Sequence, residues 1–287
     1  MIHILYLICQ KEKRLNIGAG KETGMPFITK ISTQKKNTER FNIFLDEKYA
    51  FSVDADVLVR FDLKKGKELD ELDILEIQHG DDVKKAFNRA VEFLSYRMRS
   101  EKEVRDHLKK KETPDMVISE VIHKLYDYRY LNDKEFAEAY ASTHKKTNGK
   151  GPDVLFRELK AKGIDDDTIK ETLSAFTFDE QIQEALKHIG KILKKDKKLS
   201  TKEIRQRAQM QLQRKGFPFD VINAALEQTE YENDDEAEME ALKAHAEKAI
   251  RKYRYDGSYE SGMKVKQYLF RKGFSIDDID QFLQEEE

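Results

Sequence analysis

Gly18-Ala-Gly-Lys-Glu-Thr23 is the segment whose residue types come nearest to a reaction-bearing motif, the end of a phosphate-binding loop. Such a loop cradles phosphates on glycine amides. It needs a Gly five positions before its Gly-Lys pair and a Ser or Thr directly after the Lys. Leu15 and Glu22 occupy those places, so no nucleotide site is assigned. The histidines, His3, His79, His107, His123, His144, His188 and His245, form no i,i+4 pair or ligand cluster, and no metal site is expected. Carboxylates are plentiful, but no nucleophile–base constellation stands out. The expectation is a non-catalytic protein without a cofactor.

What the sequence does offer is charge. Between Lys187 and Lys215 there are eleven Lys and Arg against Asp196 and Glu203, a local charge of +9. Lys194, Lys195, Lys197 and Lys198 lie between two predicted helices, followed by Arg205, Arg207, Arg214 and Lys215. Smaller clusters are Arg97, Arg99, Lys102, Arg105 and Lys109 to Lys111, then Lys145, Lys146, Lys150 and Arg157. Such groups contact phosphates without reading sequence, and that binding weakens with salt. Basic helical runs are also ordinarily solvated faces, so the two readings stand level on charge alone. Tyr126, Tyr128 and Tyr130 crowd one helix end; bases could stack there, but a place in the core between repeats is the commoner fate of aromatics. Opposed to the cations is Glu227–Glu240, with eight acids and no base, and an acidic C-terminus. This run reads as a solvated linker, or as a shield for a basic face.

The elements that must position these residues are mostly helices. Hydrophobic residues make up 39% and charged residues 38% of the 287, too few apolar side chains for one large core. That balance suits small helical units with one buried stripe each. From Phe27 to about Phe61 the period is two: Phe41, Ile43 and Leu45, then Tyr49, Phe51 and Val53, joined by a short hairpin link at Asp46-Glu-Lys48. Residues 27–33 make a third strand, and this sheet serves as structure or as a docking surface. Helical spacing then predicts helices over 83–97, 100–110, 114–126, 133–146, 152–162 and 165–175. Beyond them follow 179–195, 201–215, 219–229, 236–253, 259–272 and 276–284. Ser100, Asp133 and Asp179 are predicted N-caps. Gly163, Gly216 and Gly273 follow apolar runs, where a residue without Cβ closes a helix in the left-handed conformation.

Those glycines belong to a repeat. Leu108, Leu159, Leu212 and Leu269 align; ten positions on stand Ile118, Ile169, Ile222 and Ile279, and fourteen on Ile122, Leu173, Leu226 and Leu283. Four positions before come Val104, Leu155, Ala208 and Val265. Each unit is therefore three helices in about 50 residues, a scale at which neighbours must share surface. The first copy departs, with Lys111-Glu112-Thr113-Pro114 in place of the Gly turn.

Residues 87–283 resemble the RecX family of tandem three-helix repeats. The resemblance is most specific at Arg99-Ser-Glu-Lys-Glu-Val104 and at Leu131-Asn-Asp133 leading to Phe136-Ala137, although Arg129 stands where the family usually has Gly. The β-rich segment and fourth repeat are similar to longer Gram-positive members. The resemblance implies a cytoplasmic, monomeric modulator that binds the filament of the RecA recombinase on single-stranded DNA and touches that DNA weakly through charge. The runner-up is a direct DNA-binding protein acting without RecA.

Residues 1–24 look foreign to this plan. Ile2 to Cys9 is apolar and the positive charges follow it, the reverse of a secretory signal. Lys21-Glu22 can be encoded AAGGAG, a ribosome-binding sequence, two codons before Met25, so Met25 is the expected start. Cys9, the single cysteine, would then be absent; with or without it no intramolecular disulfide forms, in keeping with a reducing compartment. No stretch reaches the roughly 20 apolar residues that span a bilayer. The expected fold is mainly α, four repeats in an elongated curved array after a small β-rich segment. Its parts are a leader at 1–24, the β-rich segment at 25–82, repeats at 83–132, 133–178 and 179–229, an acidic linker at 230–236, and a fourth repeat at 237–287.

Overall fold

The computed structural model describes residues 25–35, 37–195, 199–229 and 235–285. The leader, with the reading of Met25 as the start, lies outside them, as do Lys197, Lys198 and most of the acidic linker. Two compact units meet after Asp133.

The first unit opens with an antiparallel sheet of order β1-β2-β3: β1 (Ile28–Thr33), β2 (Arg40–Leu45) and β3 (Lys48–Asp54). Asp46 and Glu47, both at positive φ (47° and 67°), form the two-residue turn whose twist matches that of the strands. Ile43, Phe51 and Val53 face the core, but Tyr49 does not follow the expected alternation. Ile43 pairs with Phe51 and Phe44 with Tyr49, so the bulge leaves Ala50 extra and turns Tyr49 to the exposed face, edge-on to Phe44.

A short helix that periodicity does not predict, α1 (Ala55–Arg60), follows, capped by Asp54. Then α2 (Glu71–Ser95) runs for 25 residues, starting twelve positions before the predicted 83. Asp70 and Asp73 close a capping box there. Gly80 and Asp81 are poor helix formers, yet each has a task inside this helix. Gly80 lets the Phe61 ring approach to where a Cβ would sit 3.0 Å away. Asp81, 2% exposed, takes the Arg40 guanidinium at 2.8 Å, Lys85 Nζ at 2.6 Å and the Asp54 amide at 2.8 Å. Burial alone would raise the Asp81 pKa, but these three donors outweigh it and hold the carboxyl below its usual range. One helix thus serves two cores: Ile77 packs with the sheet, while Val83, Ala86 and Ala90 pack with α3 (Glu101–Lys110) and α4 (Asp115–Asp127).

The second unit holds α5 (Asp133–Asn148), which starts at the boundary, α6 (Pro152–Ala161), α7 (Asp166–Ser174), α8 (Phe178–Lys195), α9 (Thr201–Lys215) and α10 (Phe219–Gln228). It ends with α11 (Asp235–Tyr253), α12 (Tyr259–Lys272) and α13 (Ile276–Glu285). Each helix triplet has its own apolar cluster, and the four aligned leucines are all 0% exposed. Gly163, Gly216 and Gly273 take φ of 87°, 84° and 110°, as the turn requires. Ser100 caps α3 through a capping box. Two predicted caps fall elsewhere. Asp179 lies inside the first turn of α8, where Thr177 Oγ1 accepts from the Glu180 amide. Asp133 is the first residue of α5, and its carboxylate accepts from the Glu101 amide at 2.7 Å.

Within this unit repeats two and three meet through main chain. The Lys215 and Gly216 carbonyls, orphaned at the end of α9, accept from the Gly151 and Asp153 amides at the start of α6, at 2.8 and 3.0 Å. His188 Nε2 donates to the Gly149 carbonyl at 3.0 Å, and burial holds its imidazole below the usual pKa and so neutral at pH 7. At the next joint Ser200 Oγ, the cap of α9, donates to the Lys272 carbonyl at 2.5 Å, and Lys272 Nζ reaches Glu203 at 2.8 Å.

Candidate nucleic-acid interface

Structure sorts the predicted cations by whether a partner already holds them. In the first unit Arg97 bridges to Glu103 at 3.1 Å, Arg105 to Glu101 at 2.6 Å and Lys109 to Asp115 at 3.2 Å. Arg99 lies over the Phe93 ring, 4.2 Å from its centroid. Lys110 and Lys111 are exposed at the end of α3.

In the second unit Lys145 is committed twice, to Glu180 at 2.7 Å and to the Phe176 ring at 4.2 Å, and it holds the Glu180 carboxyl below its usual pKa. Lys150 pairs with Glu158 at 2.6 Å. Burial pushes the Glu158 pKa up, and Lys150 and the Tyr140 hydroxyl more than reverse that push. Lys215 Nζ donates to the Asn148 carbonyl at 2.6 Å. Arg157 uses its Nε on the Asp153 carbonyl, leaving the exposed end of the guanidinium outward. Arg205 and Arg207 are exposed on α9, each engaged with another residue.

The cations that stay available in repeat three are therefore fewer and better placed than composition implies. Lys191, Lys194 and Lys195 are exposed, and none joins a carboxylate among the described residues. Spacings of three and four put them on one face of α8, in its last turns. Three ammonium groups so arranged complement the helix dipole and face outward with no internal anion to satisfy them. Lys146 and Arg214 are exposed as well. The three tyrosines are not core: Tyr126, Tyr128 and Tyr130 are 37%, 66% and 52% exposed. Tyr128 and Tyr130 pack edge-on to Phe87, and the Tyr126 hydroxyl donates to Glu101 at 3.0 Å. Among the described residues no group of three His, Cys, Asp or Glu could hold a metal, and no helix is long and apolar enough to cross a membrane.

Models of four RecX domains match this chain. The Regulatory protein RecX N-terminal domain covers residues 26–70, and the first and second RecX three-helix domains cover 86–125 and 132–173. The third three-helix domain matches twice, at 179–226 and at 236–283. Regulatory protein RecX of Bacillus subtilis is 79% identical over 263 residues, which cover 92% of this chain and all of that protein. The chain belongs to the RecX family. The RecX protein of Bacillus licheniformis is 69% identical over 91% of this chain and 99% of its own length. A crystal structure of regulatory protein RecX superposes with a TM-score of 0.63 at 34% identity, over 71% of this chain and all of that one. The double match shows that the fourth repeat is a second RecX third domain, and the family is one of regulatory proteins.

Two features escaped the sequence reading. Lys191 counts in the basic run but gains meaning only from the α8 face it shares with Lys194 and Lys195. The aromatic cleft between α2 and α3, lined in part by Phe93, Tyr96 and His107, draws on residues too far apart in sequence to form a motif.

Proposed function

We propose that this protein binds the RecA–single-stranded-DNA filament and modulates its recombinase, ATPase and coprotease activities in recombination, DNA repair and the SOS response. It acts by occupying the filament as a cytoplasmic monomer, without a cofactor and without catalysing a reaction. The observation that carries this reading is the Lys191, Lys194 and Lys195 face of α8, exposed and unpaired in a chain whose family is regulatory. Cations left without internal anions suit a polyanionic partner, and their contribution falls as salt rises.

The test is RecA-driven ATP hydrolysis on single-stranded DNA, with this protein titrated in. A saturable change in rate is expected. Charge reversal at Lys191, Lys194, Lys195, Lys197 and Lys198 should move the titration to higher protein concentration and leave the melting temperature unchanged. A hydrolysis rate indifferent to the protein would refute the reading. If the protein then also bound bare DNA tightly, with a steep salt slope, the RecA-independent DNA-binding role would take its place.

A further inference from the structure

In the first unit, Arg89, Glu92 and Phe93 of α2 and its cap Tyr96 face His107 of α3 and its cap Lys111 across a cleft of about 360 Å³. Its floor is an aromatic stack. The Phe93 and His107 rings lie 4.0 Å apart and 6° from parallel, and the Arg99 guanidinium sits against the same Phe93. Burial, then Lys111, Arg99 and Lys110, hold the His107 pKa below its usual value, so at pH 7 the ring is a neutral stacking surface. Tyr96 stands at the rim, 76% exposed, an aromatic ring that the fold leaves in water.

Charge at this cleft departs from its surroundings. Arg97, Arg105 and Lys109 nearby are each neutralised by a carboxylate. Arg89 and Lys111, which line the cleft, join no carboxylate among the described residues. Glu92 lies with them, which a pocket for a bare phosphate would not tolerate. A nucleotide in a strand reconciles all of these: a flat base for the aromatic rim, flanking phosphates for the cations, and a base edge whose amino group can donate to a carboxylate.

We propose that this cleft between α2 and α3 is a base-stacking site for single-stranded DNA, with Tyr96 stacking on a base and Arg89 and Lys111 holding the adjoining phosphates. The site belongs to the protein itself. It is built from first-repeat residues alone, uses none of the α8 lysines, and needs no RecA.

The test uses the full chain, without RecA, and fluorescence anisotropy of a labelled oligodeoxycytidine. A second strand of the same length carries abasic sites, which keep the phosphates and remove the bases. Tyr96→Ala should weaken binding to the intact strand about tenfold, the scale of one stacked base. Tyr96→Phe should restore it, and the wild type should bind the abasic strand about as weakly as Tyr96→Ala binds the intact one. Tyr96→Ala should no longer distinguish the two strands, while Lys111→Glu should weaken both. Tyr96 is exposed, so its loss leaves the fold intact, and an unchanged melting temperature checks this. No measurable binding by the wild type, equal binding of both strands, or a Tyr96→Ala variant that still distinguishes them would each overturn the proposal.

Discussion

The two units join their parts by different means. In the first, a buried carboxylate ties sheet to helix: Asp81 gathers Arg40, Lys85 and the Asp54 amide. In the second, the Gly turn of one repeat sits on a helix start of the repeat before: the Lys215 and Gly216 carbonyls take backbone amides, and the Lys272 carbonyl takes the Ser200 hydroxyl. An ionic joint depends on particular side chains and on pH. The amide-to-carbonyl bonds between repeats two and three depend on how closely two backbones approach. That difference explains where glycine is kept. At Gly216 a Cβ would sit 2.5 Å from the Val154 nitrogen, and at Gly273 2.5 Å from Lys202 Cβ, so both positions need positive φ and the missing side chain. The turn of the first repeat takes the same conformation at Glu112, φ 58°, with its side chain exposed to solvent. Glycine in this chain therefore marks docking as well as turning.

Asp81→Ala tests the ionic joint most severely. It leaves a largely buried guanidinium without its anion and should cost about 3–5 kcal/mol, read from denaturant unfolding of the sheet and first repeat. A loss under about 1 kcal/mol would show that the joint rests on apolar packing. The pH dependence has a definite sign. Because the folded Asp81 pKa lies below its unfolded value, its contribution is complete above the unfolded pKa and is lost as pH falls through the folded one. Asp81→Asn should therefore flatten the acid limb of the stability curve below about pH 4.

Gly216→Val comes next, at about 3 kcal/mol, combining a β-branched residue at positive φ with a clash against the neighbouring repeat. Gly151→Ala separates the two causes. Gly151 has an ordinary φ of −80°, yet a Cβ there would meet the Gly216 carbonyl and lie 2.6 Å from the Phe217 nitrogen. A cost of about 2 kcal/mol in thermal unfolding is expected from crowding alone; a neutral result would mean that the joint gives way cheaply. Smallest, and opposite in sign, are Glu112→Gly and Arg129→Gly. Both residues hold positive φ with exposed side chains, Glu112 at 58° and Arg129 at 60°. Each replacement should stabilise by up to about 1 kcal/mol. Destabilisation by either would show that the side chain does more than occupy the turn.

Much of this architecture is legible in the sequence because its signals are local. The Leu108, Leu159, Leu212 and Leu269 register, the three Gly turns and the Ser100 cap depend on spacings within one helix or turn, and the structure bears them out. The start of α2 was hidden because Gly80 and Asp81 are poor helix formers whose reasons, the Phe61 ring and Arg40, lie 19 and 41 positions away. Tyr49 departs from the alternation because the bulge at Ala50 puts it out of phase with Phe51 and Val53. The interface was legible as charge but not as availability. Arg105 pairs with Glu101 one helical turn away, which spacing can reveal; Lys145 pairs with Glu180, 35 residues on, which it cannot.

The main-chain joint also bears on how such a protein lengthens. Carbonyls at a helix end come with the turn itself, so a copied module brings these acceptors with it, and the module before has only to supply donors. Between the two matches to the third-domain type the donors are side chains, the Ser200 hydroxyl on the Lys272 carbonyl and Lys272 on Glu203, so copying here came with a few matched residues.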